Sequence, residues 1–373
     1  MCLILLLTGC ETNTEPTDAA KSAPTGLPAK AAMTVNPSEI VTTPTPEPAP
    51  ASTPAVELVL ETVCPAPSGD GYEWNIAGNY PENKWFIYDD RSDLFIRVTA
   101  NSEGQPACLL SSRLDGSDET VLDSSAGEYP YGAVNWYDGW VYFLKDDDVW
   151  RVKPDGKEKQ RIISSHRGED NIGRVLMIYD GRIYLWTANN DIIETYAPDG
   201  SGYKALDVPD IPMGLLFFEK GYLYYGAVEK GEDGGDVWSI YRYNLKTGKA
   251  KELTRCAFGP LAVRDGWAYY FDDTLCRTNE KKTENLDVML TDELPVYRNY
   301  LLYFGDTGAL CVYDLDTAQV YELFPMPGDA DWISVARDSV FLSQEDGNVL
   351  YRITFEDGKA RLWLLNGLVA EEG

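Results

Sequence analysis

The sequence predicts an all-β fold, a β-propeller of about seven four-stranded blades, preceded by a disordered linker. Three observations predict it. A phrase of short strands and turns recurs about every 40 residues. Two-residue turns such as Asp138-Gly139 separate the strands, and the second strand of each copy is apolar on consecutive residues. A period of this length with about four strands per copy is typical of a propeller blade.

The aromatic-rich second strand marks each copy of the repeat. Seven such runs occur, and their first residues are 55, 42, 40, 45, 33 and 39 residues apart. The runs are residues 84–88, 139–143, 181–185, 221–225, 266–270, 299–303 and 338–342. The long first interval and the short fifth one leave six or eight blades open. Either residues 56–63 or residues 361–365 are expected to supply the strand that closes the ring.

Two sets of tight turns separate these strands. The first set precedes the aromatic strands and supplies the positive φ angles of two-residue hairpins, a conformation also expected of Asn299. Its members are Asp138-Gly139, Asp180-Gly181, Lys220-Gly221 and Asp265-Gly266. The second set is expected to close the outer hairpins. Its members are Asp115-Gly116, Asp155-Gly156, Asp199-Gly200, Thr247-Gly248 and Asp357-Gly358.

Strand composition distinguishes a propeller from other architectures. Residues 141–144 and 183–186 are apolar without alternation. A sandwich strand with one face in water would alternate, whereas a blade is covered on both faces by its neighbours. No long helical pattern interrupts the strands, which argues against an α/β fold.

Several of these stretches resemble a known family. Residues 114–120 followed by 138–143, residues 149–156, and Gly78-Asn79 are similar to the bacterial surface-lipoprotein β-propeller domain described as resembling that of low-density lipoprotein receptor-related proteins. The resemblance covers roughly residues 74 to 368 and implies a propeller fold on a cell surface. The family has no assigned function to carry over.

The first 55 residues are predicted to contain a targeting signal and a linker. Residues 7–10, Leu-Thr-Gly-Cys, resemble a bacterial lipobox, which predicts a signal peptide at 1–9 and a lipid on Cys10. The basic segment that usually precedes a lipobox is missing, which suggests a true start upstream of Met1. Residues 11–55 hold nine of the 22 prolines and no aromatic residue. Residues 10–55 are therefore expected to be a lipidated, disordered linker, and the propeller to span 56–373.

Composition excludes two classes of function. The 373 residues hold 32 Lys and Arg against 60 Asp and Glu, for a formal charge of −28. Nucleic-acid binding needs a basic face, which this chain lacks. With a single His, the chain cannot form a His-rich metal centre.

The loops that follow the aromatic strands are acidic. They hold 16 acids against three bases, Arg91, Lys145 and Lys230. In a propeller such loops share one face, so the sequence predicts an acidic ring that attracts Ca²⁺, polyamines or a basic partner. The candidate binding residues are Asp89, Asp93, Asp146, Asp148, Glu232, Asp233, Asp236, Asp272, Asp273, Asp306 and Asp346. The acids also fit an ordinary solvated surface, since Asp is a preferred turn residue.

Other chemistry has weaker support. The loop 232–236 is the best Ca²⁺ candidate but lacks EF-hand spacing, so no cofactor is assigned. No catalytic triad or phosphate-binding loop is visible, and His166 lies in a polar loop. Trp140, Trp267 and Tyr222 are interpreted as core between blades rather than a sugar-stacking surface. Five cysteines remain after Cys2 and Cys10, which allows up to two disulfides; they are Cys64, Cys108, Cys256, Cys276 and Cys311.

Together these features predict a monomeric bacterial lipoprotein, held on the extracytoplasmic face of the membrane by its lipid anchor. Its propeller is expected to be a non-catalytic binding or scaffold module whose acidic loop face meets a basic protein or a cell-wall glycan. The alternative is a secreted carbohydrate-active enzyme that uses a carboxylate pair at the channel mouth. A purely structural envelope component is a third interpretation.

Overall fold

The computed structural model describes one compact unit of the chain, within Ser52–Gly373. The described residues are 56–68, 86–99, 106–126, 131–146, 148–164, 174–187, 192–209, 211–230, 236–256, 260–286, 288, 295–305, 307–325, 330–335, 339–344 and 349–365. The predicted signal peptide at 1–9, Cys10 and the linker at 10–55 lie outside them. Every regular element in these ranges is a β-strand, and none of their residues forms a helix long and apolar enough to cross a membrane.

The strands form seven antiparallel sheets: six have four strands that are consecutive in the chain, and the seventh has four consecutive strands and a fifth from the start of the described chain. Blade 1 contains β2 (Phe86–Asp89), β3 (Leu94–Thr99), β4 (Ala107–Ser112) and β5 (Thr120–Ser125). Blade 2 contains β6 (Tyr131–Tyr137), β7 (Trp140–Lys145), β8 (Asp148–Val152) and β9 (Gln160–Ile163). Blade 3 contains β10 (Arg174–Tyr179), β11 (Arg182–Thr187), β12 (Ile193–Tyr196) and β13 (Lys204–Ala205).

The remaining four blades repeat this order. Blade 4 contains β14 (Ile211–Glu219), β15 (Tyr222–Lys230), β16 (Asp236–Asn244) and β17 (Lys249–Cys256). Blade 5 contains β18 (Ala262–Arg264), β19 (Trp267–Asp272), β20 (Thr274–Thr278) and β21 (Thr283–Asn285). Blade 6 contains β22 (Val296–Tyr297), β23 (Tyr300–Phe304), β24 (Ala309–Asp314) and β25 (Gln319–Pro325). Blade 7 contains β26 (Ala330–Val335), β27 (Val340–Gln344), β28 (Val349–Glu356) and β29 (Lys359–Leu365), with β1 (Val56–Val63) as a fifth strand.

The hydrophobic core lies between the blades and closes the ring. Seven buried clusters each join two consecutive blades, from the blade 1–blade 2 pair around to the blade 7–blade 1 pair. At the last junction Phe341 of blade 7 meets Phe86 and Tyr88 of blade 1, with ring centroids 5.4 and 5.6 Å apart. First strands of neighbouring blades pack against one another from β2 to β22, so the first strand of a blade is its innermost. The prediction of an all-β, seven-bladed propeller is confirmed.

The predicted strand order of blade 1 is wrong by one strand. The aromatic run at residues 84–88 predicts a second strand, but β2 is the first strand of its sheet and β3 is the second. Second strands of blades 1 and 2 then start at Leu94 and Trp140, and 140 − 94 = 46 replaces the long interval of 55. The misassignment arose because an acidic turn follows β2 just as acidic loops follow the other aromatic strands.

Both candidates for ring closure belong to the same sheet. β1 pairs antiparallel with β29, from Val56 opposite Leu365 to Val63 opposite Lys359, with a bulge between Leu58 and Leu60. The other six sheets have four strands, so β1 is an addition to an already complete blade.

The predicted tight turns form with one change. Asp138 and Gly139 have φ angles of 47° and 75°, as a type I′ hairpin requires, and the turns of blades 3, 4 and 5 repeat this pattern. In blade 6 the positive φ of 54° belongs to Arg298 and not to Asn299, where it was expected. The Asn299 side chain instead accepts a hydrogen bond from the Ser68 N–H at 2.6 Å and donates one to Asp314 at 2.7 Å.

Candidate functional site

The propeller has two ends, which differ in how they connect the strands. We call the end where first strands turn into second strands, and third strands into fourth, the turn end; it includes Asp138-Gly139 and Asp155-Gly156. We call the opposite end the loop end; there second strands lead to third strands, and each blade leads to the next. The predicted acidic ring belongs to the loop end.

Four of the predicted acids lie at the loop end within the described residues. Asp146 and Asp273 are exposed and have φ angles of 49° and 61°, so each shapes a tight turn as well as carrying charge. Asp272, beside Asp273, is also exposed. Asp148 is half-buried and forms an ion pair with Arg161 at 3.2 Å. The loop end therefore presents exposed carboxylates in blades 2 and 5.

The side chains of the remaining loop-end candidates lie outside the described part of the chain. Asp236 begins β16, opposite Lys230 of β15 in the backbone pairing. Glu232, Asp233, Asp306 and Asp346 lie outside the described residues, and so does His166.

The assignment of Asp89 and Asp93 to the acidic ring is wrong. Both lie where β2 turns into β3, at the turn end. The prediction put them at the loop end because it treated β2 as the second strand of blade 1. Asp89 is buried and accepts hydrogen bonds from Ser92 Oγ at 2.5 Å and from the Arg91 N–H at 3.4 Å. Asp93 accepts from the Tyr88 hydroxyl at 3.1 Å. These carboxylates hold their own turn together.

A buried aspartate between blades 1 and 2 binds one of the bases near the loop end. Asp123 accepts hydrogen bonds from Lys145 Nζ at 2.5 Å, from the Tyr131 hydroxyl at 2.8 Å, and from Lys159 Nζ. Burial acts to raise the pKa of Asp123, but the two lysines and Tyr131 outweigh it and lower that pKa. Lys145 is thereby paired with Asp123, across the blade interface.

Arginines stacked on aromatic residues are the feature that sequence reasoning missed. The guanidinium carbons of Arg151, Arg242 and Arg277 lie 4.3, 4.3 and 4.5 Å from the ring centroids of Trp140, Tyr222 and Trp267, respectively. Each arginine is on a third strand and each aromatic residue begins a second strand. The signal was present in the sequence, because arginine recurs two residues after a buried apolar residue in residues 149–152, 240–243 and 275–278.

Two of these arginines, Arg151 and Arg242, link neighbouring blades, whereas Arg277 pairs with Glu284 in its own blade. Arg151 Nη1 and the Tyr142 hydroxyl both donate to the carbonyl of Pro198 in blade 3, at 3.0 and 3.2 Å. Arg242 of blade 4 pairs with Glu280 of blade 5. The aromatic residues are thus occupied at blade interfaces, in agreement with their interpretation as core.

The cysteines form no disulfide, although up to two were allowed; all five lie among the described residues. Cys276 and Cys311 are buried on the third strands of blades 5 and 6, as packed apolar residues were expected to be. Burial raises the pKa of the Cys64 and Cys311 thiols. Among the described residues no three His, Cys, Asp or Glu side chains are grouped to hold a metal ion, and Ca²⁺ binding by loop 232–236 stays a prediction.

Comparison with known proteins supports the fold. A puromycin-hydrolyzing peptidase from Mycobacterium tuberculosis matches with a TM-score of 0.55 and 13% identity, over 84% of this chain and 57% of that one. A nidogen/laminin complex matches with a TM-score of 0.39 and 15% identity, over 61% of this chain and 91% of that chain. The protein KlHsv2 with a replaced loop matches with a TM-score of 0.44 and 12% identity, over 75% and 96% of the two chains. Neither a protein-family model nor a curated protein sequence matches the chain.

At these identities the similarity to the peptidase shows the fold alone, and this chain spans little more than half of that structure. The class of protein defined by fold and site is a seven-bladed β-propeller with exposed carboxylates at its loop end. Such a fold suits a binding or scaffold module.

Proposed function

We propose that this protein is a bacterial lipoprotein, anchored through Cys10 on the extracytoplasmic face of the membrane, whose propeller binds a basic protein at its loop end without catalysis. The observation that carries the proposal is the group of exposed loop-end carboxylates in blades 2 and 5. At the turn end, Asp115, Asp155 and Asp199 are held within their own turns, while Asp138, Asp180 and Asp357 are exposed. At the loop end, Asp146, Asp272 and Asp273 are exposed and form no ion pair within the described residues.

The bonding of three turn-end aspartates follows one pattern. Asp115, Asp155 and Asp199 each accept a hydrogen bond from the backbone N–H two residues later, at 2.9, 3.0 and 2.9 Å. This arrangement stabilises the local turn and leaves less of the carboxylate for a ligand. At the loop end, Asp148 and Glu229 pair with Arg161 and Arg255, respectively. Asp146, Asp272 and Asp273 are exposed and have no such pair among the described residues, so they are available to a cationic partner.

The charge of the whole chain favours a basic partner. With a net charge of −28, the protein attracts cations and basic surfaces from a distance and repels acidic ones. Lys145, one of the bases near the loop end, is held by Asp123 and neutralises that buried carboxylate. The exposed acids of blades 2 and 5 therefore keep their negative potential.

The test compares two triple variants with the same change in charge. Asp146→Asn, Asp272→Asn and Asp273→Asn together remove three charges from the loop end. Asp115→Asn, Asp155→Asn and Asp199→Asn remove three from the turn end, and asparagine still accepts the turn hydrogen bonds. An octalysine peptide is the probe, and calorimetry at low and high salt measures its affinity.

We expect the loop-end variant to bind the peptide about tenfold more weakly at low salt, and the turn-end variant to change by less than about twofold. Equal losses in both variants would show attraction by net charge alone and would contradict a loop-end site. Retention of a purified cell-wall glycan in place of the peptide would shift the proposal to a glycan partner. Hydrolysis of that glycan, abolished by neutralising two acids, would establish the carbohydrate-active enzyme instead.

The anchor is tested separately. Mass spectrometry of the N-terminus should find a diacylglyceryl group on Cys10, and Cys10→Ala should move the protein from the membrane fraction to the soluble fraction. A Cys10→Ala protein that stays with the membrane would contradict lipid anchoring.

A further inference from the structure

The first described segment of the chain holds the outside of the ring. We call residues 56–68 the N-terminal clamp. Within it, β1 pairs along β29 and Glu61 bridges two basic residues of that strand, Lys359 at 2.5 Å and Arg361 at 2.7 Å. The Cys64 N–H then donates to the carbonyl of Gly358 at 3.1 Å, which continues the pairing past the end of β1.

The clamp extends from blade 7 to blade 6. The Tyr300 hydroxyl donates to the carbonyl of Pro65 at 2.7 Å, and the Ser68 N–H donates to Asn299 at 2.6 Å. Ser68 Oγ also donates to Asp316. Asn299 and Tyr300 are buried, and Asn299 is fixed in turn by Asp314, so blade 6 offers the clamp a rigid receptor.

The next described element after the clamp is the innermost strand of a different blade. β2 contributes Phe86 and Tyr88 to the junction with blade 7 and Ile87 to the junction with blade 2. Removing β2 would therefore break both interfaces of blade 1. Pulling on the chain before residue 56 would load β2 directly if the clamp were absent.

We propose that the N-terminal clamp is a strain relief, which transfers force from the linker to the outer strands of blades 6 and 7 and keeps it from β2. The inference rests on the proposed function, because it assumes that residues 10–55 tether the propeller. It explains why blade 7 has a fifth strand although six other blades are complete with four. The Glu61 bridge and the Ser68 contacts are the bonds that bear the load.

The experiment applies force to the full chain. One handle is attached at Pro50 in the linker and the other at Asp146 in blade 2, and magnetic tweezers measure the lifetime of the folded propeller at constant force. Glu61→Gln weakens the bridge to β29. Ser68→Pro removes the N–H that Asn299 receives, and it provides a second variant with an independent position in the clamp.

Glu284→Gln is the matched control. Glu284 lies on β21, the outer strand of blade 5, and like Glu61 it pairs with an arginine and a lysine, Arg277 at 2.6 Å and Lys282. It is not on the path from the linker to β2. Without force, we expect the Glu61 and Glu284 variants to unfold within about 3 °C of each other, since each loses one comparable surface bridge.

Under load, we expect Glu61→Gln and Ser68→Pro to shorten the folded lifetime about tenfold, and Glu284→Gln to change it less than about twofold, because only clamp contacts break before the transition state. Equal shortening by Glu284→Gln, or unchanged lifetimes for both clamp variants, would overturn the proposal. The handles replace the membrane, so absence of lipid on Cys10 would refute the anchor without altering this result.

Discussion

The two ends of the propeller use the same residue type in different ways. At the turn end, Asp115, Asp155 and Asp199 accept backbone hydrogen bonds within their own turns. At the loop end, Asp146 and Asp273 adopt left-handed backbone angles while their side chains stay exposed. Aspartate is favoured at both ends by turn chemistry, so its frequency alone does not identify a binding surface. The difference lies in whether the carboxylate is already engaged.

The turn end is also fastened between blades. The Gly221 N–H of blade 4 donates to the Tyr179 hydroxyl of blade 3 at 2.9 Å. Glu219, buried in blade 4, accepts from the backbone N–H groups of Asp265 and Gly266 in blade 5, at 2.5 and 2.7 Å. This end is expected to be the more sensitive of the two to mutation.

The largest effect is expected at Gly200, in the outer turn of blade 3. Its φ is +84°, and an added Cβ would lie 2.0 Å from the carbonyl oxygen of Ile162 in blade 2. Because two backbones would have to separate, Gly200→Ala should destabilise the protein by about 3 kcal/mol, as measured by urea unfolding.

Gly221→Ala is the control for that prediction. Gly221 has a similar φ of +80° but nothing within 4 Å of an added Cβ, so the cost should be about 1 kcal/mol. Equal losses for both variants would show that backbone strain, and not the close approach of blades 2 and 3, makes Gly200 necessary.

A smaller effect is expected at Asp123, between blades 1 and 2. Asp123→Asn leaves Lys145 and Lys159 without their carboxylate, and because both lysines retain some access to water the loss should be about 2 kcal/mol. Asp148→Asn, which breaks the more exposed pair with Arg161, should cost less than about 1 kcal/mol. If Asp123→Asn leaves the free energy of unfolding in urea unchanged, this cluster has no stabilising role.

Acid should weaken the turn end through its aspartates. Hydrogen bonds from the Ser117 side chain, the Lys157 backbone and the Ser201 side chain are the main causes that lower the pKa of Asp115, Asp155 and Asp199, respectively. A pKa below the unfolded value, near 3.9, means that each carboxylate stabilises the fold above that pH and loses its contribution as pH falls through the folded-state pKa. The melting temperature of the protein should therefore decrease as the pH is lowered from about 4.

The variant with Asn at all three positions isolates this effect. Its melting temperature should fall less steeply between about pH 4 and pH 2 than that of the unmodified protein, because asparagine accepts the same hydrogen bonds without titrating. Parallel pH profiles for the two proteins would assign acid sensitivity to other carboxylates, with Asp123 the first to examine.

The smallest effect is expected at the loop end. Asp273→Gly relieves a left-handed backbone angle of 61° and removes a side chain that is exposed, so stability should change by less than about 0.5 kcal/mol. Asp273→Val should cost about 1 to 2 kcal/mol, because a β-branched residue is strained there. A large loss with Asp273→Gly would reveal a structural contact of this carboxylate.

Much of the fold could be predicted from the sequence because the same turn dipeptides and apolar strands recur in each blade. Asp138-Gly139 and the turns like it predict hairpins, and consecutive apolar residues in β7 and β11 predict strands that are buried on both faces. Blade 1 was misread because an acidic turn follows β2 as acidic loops follow second strands elsewhere. The strand that closes the ring could only be narrowed to residues 56–63 or 361–365, and their pairing with each other was not predicted, since sequence order does not reveal contacts between distant strands.

The candidate site was less predictable. The sequence placed Asp146 and Asp272 correctly at one end, but it could not show that Asp89 closes its own turn. It also gave no sign that Asp123 would bind Lys145 across a blade interface, because that contact depends on tertiary packing. Arg151 and its counterparts were missed although their spacing recurs, since a charged residue in a strand reads as solvent-facing until its aromatic partner is known.

The pairing of β1 has a consequence for the order in which the chain is made. β1 is the first strand of the propeller to be synthesised, and Glu61 meets Arg361, 300 residues later. At about 5 to 20 residues per second this wait lasts roughly 15 to 60 s. Throughout it, Leu58 and Val59 belong to an apolar strand with no native partner, which neighbouring chains can capture. Residue order thus leaves β1 without its native partner until β29, its partner in the sheet, has been synthesised.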